Sequence, residues 1–304
     1  MREIFYLLRR NILLYFRDYT AVFFSLMSML IVLALMVIFL GNMNSENVVY
    51  ALEEFGGVRD QAVDKANATY LIQMWTLAGI LVVNTVTVTL TVTGKMVEDE
   101  VSHKLVSLYV APVKRIKIAL GYIGAAWFAG AVMSLLTLAA GEVYMVFCSH
   151  PLLPADSLWK LTGMILLNAF VYAALSYLSA LLVHSNSAWG GLQSIVGTLV
   201  GFVGAIYLPV SMLPDGVMKA LKCLPVLHGA AIMREICIQD ALEETFFGLP
   251  EAAKDIFREQ MGVTVMVGNG KAKLWQQVAL LLGYGIIAVA ASAMIMKRRR
   301  LHDR

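Results

Sequence analysis

Between Gly94 and Lys117 the sequence reads GKMVEDEVSHKLVSLYVAPVKRIK, a charged interval between long apolar runs. Val97, Val101, Leu105 and Leu108 recur at spacings of four, four and three, which gives a short helix one apolar face. Asp99 and Glu100 lie near its start, where the helix dipole favours acids. Pro112 is the expected stop, and Lys114, Arg115 and Lys117 precede the next apolar run. The chemistry on offer is recognition: an amphipathic helix beside a membrane, open to a soluble partner. The same pattern also suits a loop helix that only covers neighbouring helix ends.

Bond-making chemistry finds no support. No GxxxxGK[ST] phosphate cradle is present; Gly94-Lys95 and Gly270-Lys271 are isolated pairs without its spacing. HExxH, GxSxG and paired carboxylates inside a span are also missing. No catalytic residue, metal site or cofactor of this chain's own is therefore expected. Cys148, Cys223 and Cys237 form neither a disulfide framework nor a metal pattern. They read as separate thiols or, at most, a Cys223–Cys237 disulfide. Glu142 is either an interfacial or packing acid near the end of a span or a residue of a transport pathway. His184 reads as a loop histidine rather than a proton relay. Asn84, Thr85 and Thr91 offer polar contacts to a cavity, or else bond within and between helices.

The elements that position these residues follow from hydropathy. The chain is 59% hydrophobic and 15% charged, with a mean hydropathy of +0.73, against about 25% charged residues in soluble domains. It is expected to be all-α: one polytopic membrane bundle over 1–304. Six spans are expected near 21–40, 70–93, 118–147, 158–182, 189–208 and 274–296, each long enough for about 30 Å of hydrocarbon. The first lacks a convincing cleavage site and does not read as a removable signal peptide.

Residues 1–19 read as an interfacial helix, with Arg9, Arg10 and Arg17 towards headgroups and Phe16 among its apolar residues. The alternating TVTVTLTVT run, Thr85 to Thr93, is read as helix because an unpaired strand is too costly in lipid. Gly197, Gly201 and Gly204 recur at close-packing intervals in the fifth span, towards the chain's own fourth span or another subunit. From Pro209 to Lys273 the hydrophobicity breaks. We expect re-entrant half-helices or an outer helical turn, then small helices at Glu235–Phe247 and Glu251–Met261. A short strand at Val263–Val267 is expected to end at Gly268-Asn269-Gly270.

Charge sets orientation. The N-terminal arm, the 94–117 interval and the C-terminal end together carry +8, against −5 on the other side. By the positive-inside rule both termini face the cytoplasm. No basic face or reader motif suggests nucleic acid.

Taken in order, these segments resemble the ABC-2 family of ABC transporter permeases. The matching stretches are EDEVSHKLVSLYVAPVKRIKIALG, from Glu98 to Gly121, and the Pro-punctuated PVSMLPDGVMKALKCLPVLHGAAIMRE, from Pro209 to Glu235, with Arg234 near its end. The residues between Glu235 and Lys273 depart from the compact family pattern as an insertion. The resemblance implies a plasma-membrane exporter of two permease halves, here expected as a homodimer, with two copies of a cytoplasmic ATPase carrying ATP and Mg. It implies that the helix around Val97–Tyr109, with Glu98, Asp99 and Glu100, contacts the ATPase, and that Ile4–Phe16 is a second contact. It also implies a central cavity lined by the first, second and fifth spans. Rival readings are a non-transporting scaffold or sensor and, more remotely, an intramembrane enzyme.

Overall fold

The computed structural model describes residues 2–35, 41–56, 60–110, 113–205, 209–267 and 270–298. The expected span ends at 36–40 and 206–208, the stop at Pro112, the turn at Gly268 and Asn269, and the basic residues Arg299 and Arg300 lie outside them.

The described chain is a helical bundle with one two-residue hairpin. Helix α1 (Arg2–Phe16) is amphipathic and leads into α2 (Tyr19–Leu35) and α3 (Gly41–Gly56). Next come α4 (Gln61–Val101), α5 (Lys104–Val110), α6 (Arg115–Phe147), α7 (Ala155–Ala180) and α8 (Asn186–Val203). Four helices are long and apolar enough to cross a membrane: α4, α6, α7 and α12 (Leu274–Arg298). The expected first and fifth spans fall on α2 and α8, of 17 and 18 described residues, which are not among those four.

Helix α4 is the axis. It begins at Gln61 rather than Tyr70 and ends at Val101 rather than Thr93. Its 41 residues reach about 60 Å at the α-helical rise, twice the hydrocarbon thickness. Asp60 starts it by accepting from the Ala62 and Val63 amides, as an N-cap should. It packs against α2, α3, α6, α7, α8 and α10 (Pro225–Thr245). That explains why its middle is apolar all round, with Leu71, Met74, Trp75 and Leu77 buried. Small residues let α6 approach it: side chains at Gly130 and Gly141 would meet Thr89 and Leu77.

The threonine run is helical, and its hydroxyls turn back on the chain: Thr85 to Leu81 O, Thr91 to Thr87 O and Thr93 to Thr89 O. Each bond satisfies a hydroxyl within the helix, and Thr85 also reaches Ser134 of α6.

The outer region departs most from expectation. After a 3-10 turn at Val210–Met212 and the short α9 (Asp215–Leu221), α10 runs unbroken from Pro225 to Thr245, so Glu235–Phe247 is not a separate helix. Pro225 opens it at a position where a missing N–H costs nothing. Its buried Ala230, Ala231, Ile238 and Ala241 hold a helix that looks mixed in polarity by sequence. Helix α11 (Glu251–Gln260) follows, strapped to α10 by Lys254–Glu243 at 2.5 Å and Arg258–Glu235 at 3.4 Å. The expected strand shrinks to β1 (Met266–Val267), paired antiparallel with β2 (Gly270–Lys271).

Candidate functional site

The corner between α4 and α5 carries most of the residues singled out by spacing. The expected short helix is in fact two elements: the last turns of α4 and the separate α5, broken at Ser102 and His103. His103 takes a left-handed φ of 57°, a conformation that histidine adopts more readily than most non-glycine residues. The break rotates the apolar stripe apart. Val97 and Leu105 are buried in the core, Leu108 and Tyr109 are half-buried, and Val101 is exposed. The tip adds exposed Val106 and Val110, at 45% and 73% exposure, which spacing had not selected. Tyr109 and Arg115 tie the corner to the end of α12: Arg115 donates to Met296 O at 3.2 Å and stacks over the Tyr109 ring.

Asp99 faces inward, with a side chain only 5% exposed. The Arg10 guanidinium pairs with its Oδ2 at 2.8 Å and the Tyr122 hydroxyl donates to the same oxygen at 2.6 Å. A buried carboxylate thus joins α1, α4 and α6 through charge-assisted bonds. Two more ion pairs run alongside: Lys117–Glu3 at 2.7 Å and Lys95–Asp18 at 3.2 Å, with Lys95 also bridging Glu98 at 3.0 Å. The bond from Lys117 holds the Glu3 carboxyl below its ordinary range. Asp18 is held low first by the Ala21 amide that it caps and then by Lys95. Leu7 sits against Gly121, where a Cβ would lie 2.7 Å from its own Cβ. The result is an amphipathic helix fastened to the ends of α4 and α6. Within it Arg9 is exposed, Arg10 and Phe16 are half-buried, and Arg10 turns inward to Asp99; Arg17, just past its end, is exposed.

The polar residues inside the bundle have partners of their own. Asn84 donates to Thr137 at 2.8 Å, and Thr85 shares a 2.8 Å bond with Ser134, both stitching α4 to α6. Glu142 is buried near the far end of α6 and accepts from the Leu153 amide at 3.0 Å, which pins the loop before α7. His184 lies exposed in the loop before α8. All three cysteines are free. In α8 a side chain at Gly197 would meet nothing within 4 Å, so that position does not pack on the chain's own α7, while Gly201 and Gly204 are buried.

Two devices escaped sequence reasoning. Arg234 of α10 is fully buried. It donates to Gly204 O at 3.0 Å, Ala205 O at 2.7 Å and Gly262 O at 3.3 Å, and lies over the Trp75 ring at 4.4 Å. Trp75 in turn donates to Met261 O at 2.8 Å. One guanidinium thereby closes the end of α8, the turn after α11 and α4 around a single point, using donors in a fixed fork. The only sequence signal was an arginine within an apolar stretch. The second is Gly94, whose missing side chain lets the buried Trp189 of α8 lie against α4.

The charged groups of this arrangement join helices. Among the described residues no group of histidine, cysteine and acidic side chains could hold a metal ion. Comparison with curated proteins yields no match. A family model described as ABC-2 family transporter protein matches residues 57–294, which takes in α4 through most of α12. This chain is thus a multi-pass membrane protein of the ABC-2 transporter family.

Proposed function

We propose that the chain is the permease subunit of an ATP-driven exporter, coupled at the α4–α5 corner to a separate cytoplasmic ATPase that binds ATP and Mg. In this reading α2 and α8 join α4, α6, α7 and α12 as six spans, and both termini face the cytoplasm. The supporting observation is the continuity of α4. The helix that makes the buried axis ends at the corner itself, and Asp99 with Arg10 of α1 and Lys95 with Asp18 in the turn after α1 bind that end to its neighbours. A push on such a corner moves packed helices together, because packed cores shift between discrete arrangements rather than deforming smoothly.

The docking surface is the exposed edge at Val101, Val106 and Val110, with Glu98, Glu100 and His103 beside it, rather than the inward-facing Val97 and Leu105. Helix α1 offers a second contact through its outer face. A second copy of the chain completes the pathway, which α2, α4 and α8 line. The open space at Gly190, Gly191 and Gly197 favours a neighbouring subunit on that face of α8. Asn84, Thr85 and Glu142 serve packing here, and Thr91 is the half-buried residue left for the pathway.

Substituting Val106→Asp and Val110→Asp tests the docking. Both positions are exposed, so insertion and folding should survive while ATPase co-purification and stimulated hydrolysis fall. Unchanged ATPase binding by the double variant would remove the corner from the interface.

A further inference from the structure

A cleft of about 800 Å³ opens between α7, α10, α11 and the start of α12, at the end of the bundle opposite the α4–α5 corner. Its size lies within the roughly 300–1,000 Å³ of small-molecule sites. The floor is apolar: Met164 of α7, Ala231, Ile232 and Ile236 of α10, Val263, and Val278 of α12. The rim carries charges of both signs, and each has its counter-ion: Lys160 pairs with Asp156, Lys271 with Asp255 at 2.8 Å and Arg258 with Glu235 at 3.4 Å.

Two observations narrow the occupant. First, the rim offers no uncompensated charge. An ionic group entering the cleft would shed water without gaining a counter-ion, so the cleft disfavours ions of either sign. Second, an acceptor stands unused in its wall. Gln277 is nine-tenths buried, and its Nε2 donates to Ala272 O at 3.1 Å, which fixes the orientation of the amide. Its Oε1 is left without a partner among the described residues. A buried acceptor in that state is costly, and an uncharged O–H or N–H donor would satisfy it. Arg258 Nε, in the same lining, is a buried donor likewise without a partner among the described residues. A hydroxyl or an amide can accept from such a group as well as donate to Gln277.

We infer that this cleft binds an uncharged molecule with an apolar body and a hydroxyl or amide donor. The apolar body lies over Ile232, Ile236 and Val278, and the donor bonds to Gln277 Oε1. The acceptor belongs to α12 and the apolar floor chiefly to α7 and α10, so the ligand bridges three helices.

Photolabelling of the full chain in phosphatidylcholine nanodiscs tests this with four probes: a benzyl alcohol bearing a trifluoromethyl diazirine, its methyl ether, and the matching benzoate and benzylammonium. Labelling of Ile232, Ile236 and Val278 is read by mass spectrometry against the exposed Ile286 and Ile287 of α12, which corrects for partition into lipid. The alcohol should label the cleft at least about fivefold more than the ether, and both ions should label it less than the alcohol. Gln277→Leu should lower the alcohol to the level of the ether and leave the ether unchanged, an outcome that a merely loosened fold would not give. Gly163 lines the cleft and has open space around it, so Gly163→Phe should fold normally and lose the labelling. Equal labelling by alcohol and ether in the unmodified chain, a preference that survives Gln277→Leu, stronger labelling by either ion, or full labelling of Gly163→Phe would each overturn the proposal.

Discussion

Replacing Arg234 by methionine should loosen the outer subdomain without unfolding the bundle. The side chain fills a similar space but returns no donor to Gly204 O and Ala205 O, the two shortest of its bonds. Each buried carbonyl left without a partner costs about 1–3 kcal/mol. Losing the cation over the Trp75 ring removes about 2 kcal/mol more. Against this, the variant no longer buries a charge, a relief of several kcal/mol. The balance is about 2–4 kcal/mol against local closure, which corresponds to roughly 30- to 700-fold more frequent opening. Hydrogen exchange reads this directly at the amides of Ala205, Gly262 and Val263, which are hydrogen-bonded next to the clamp. Amides in the middle of α6 should not respond, because local openings are confined to cooperative units. Arg234→Lys keeps the charge but not the fork, and should exchange at least as fast as the methionine variant. Exchange at Ala205 and Gly262 unchanged in Arg234→Met would refute the clamp.

Further expectations concern the N-terminal helix. Arg10→Ala should cost about 1–3 kcal/mol, by leaving buried Asp99 with only the Tyr122 hydroxyl. The lower part applies, since Arg10 is 34% exposed, and adding Asp99→Asn should recover most of the loss in a thermal-stability assay. Glu3 and Asp18 sit below their ordinary values of 4.5 and 3.8. Their contribution is complete above those values and is lost as pH falls through the lower folded ones. Proteolytic release of α1 should therefore rise below about pH 4, and α1 protection that is flat from pH 6 to pH 3 would contradict the ion pairs. Gly121→Leu should drive α1 off α6 and expose it to protease, whereas Gly163→Leu, in open space, should not change α1.

Four of the six expected spans, those on α4, α6, α7 and α12, were legible because lipid demands long apolar helices, and the helical threonine run followed from the same demand. What escaped was set by neighbours rather than by local pattern. Helix α10 looked divided because the proline-punctuated stretch from Pro209 was read as short pieces followed by a separate helix from Glu235, yet it runs unbroken, and Arg234 within it is held by carbonyls far along the chain. Asp99 looked like a surface acid at a helix start; its partner Arg10 lies on another element, where its role was read as headgroup contact. The stripe of Val97, Val101, Leu105 and Leu108 assumed one straight helix, and the turn at His103 cannot be read from spacing. Val106 and Val110 were passed over for the same reason. The free face at Gly197 needed coordinates too, since small-residue spacing suits internal and external packing alike.

The central claim is that the α4–α5 corner lies in the cytoplasm against an ATPase. A single cysteine at Val106, in a background lacking the native three, should crosslink to the ATPase, with a yield that changes when ATP is bound. A control cysteine at the exposed Val267 of the outer hairpin should give no such product. If the Val106→Cys protein instead reacts in intact cells with a membrane-impermeant thiol reagent while Val267→Cys does not, the orientation and the coupling role both fall.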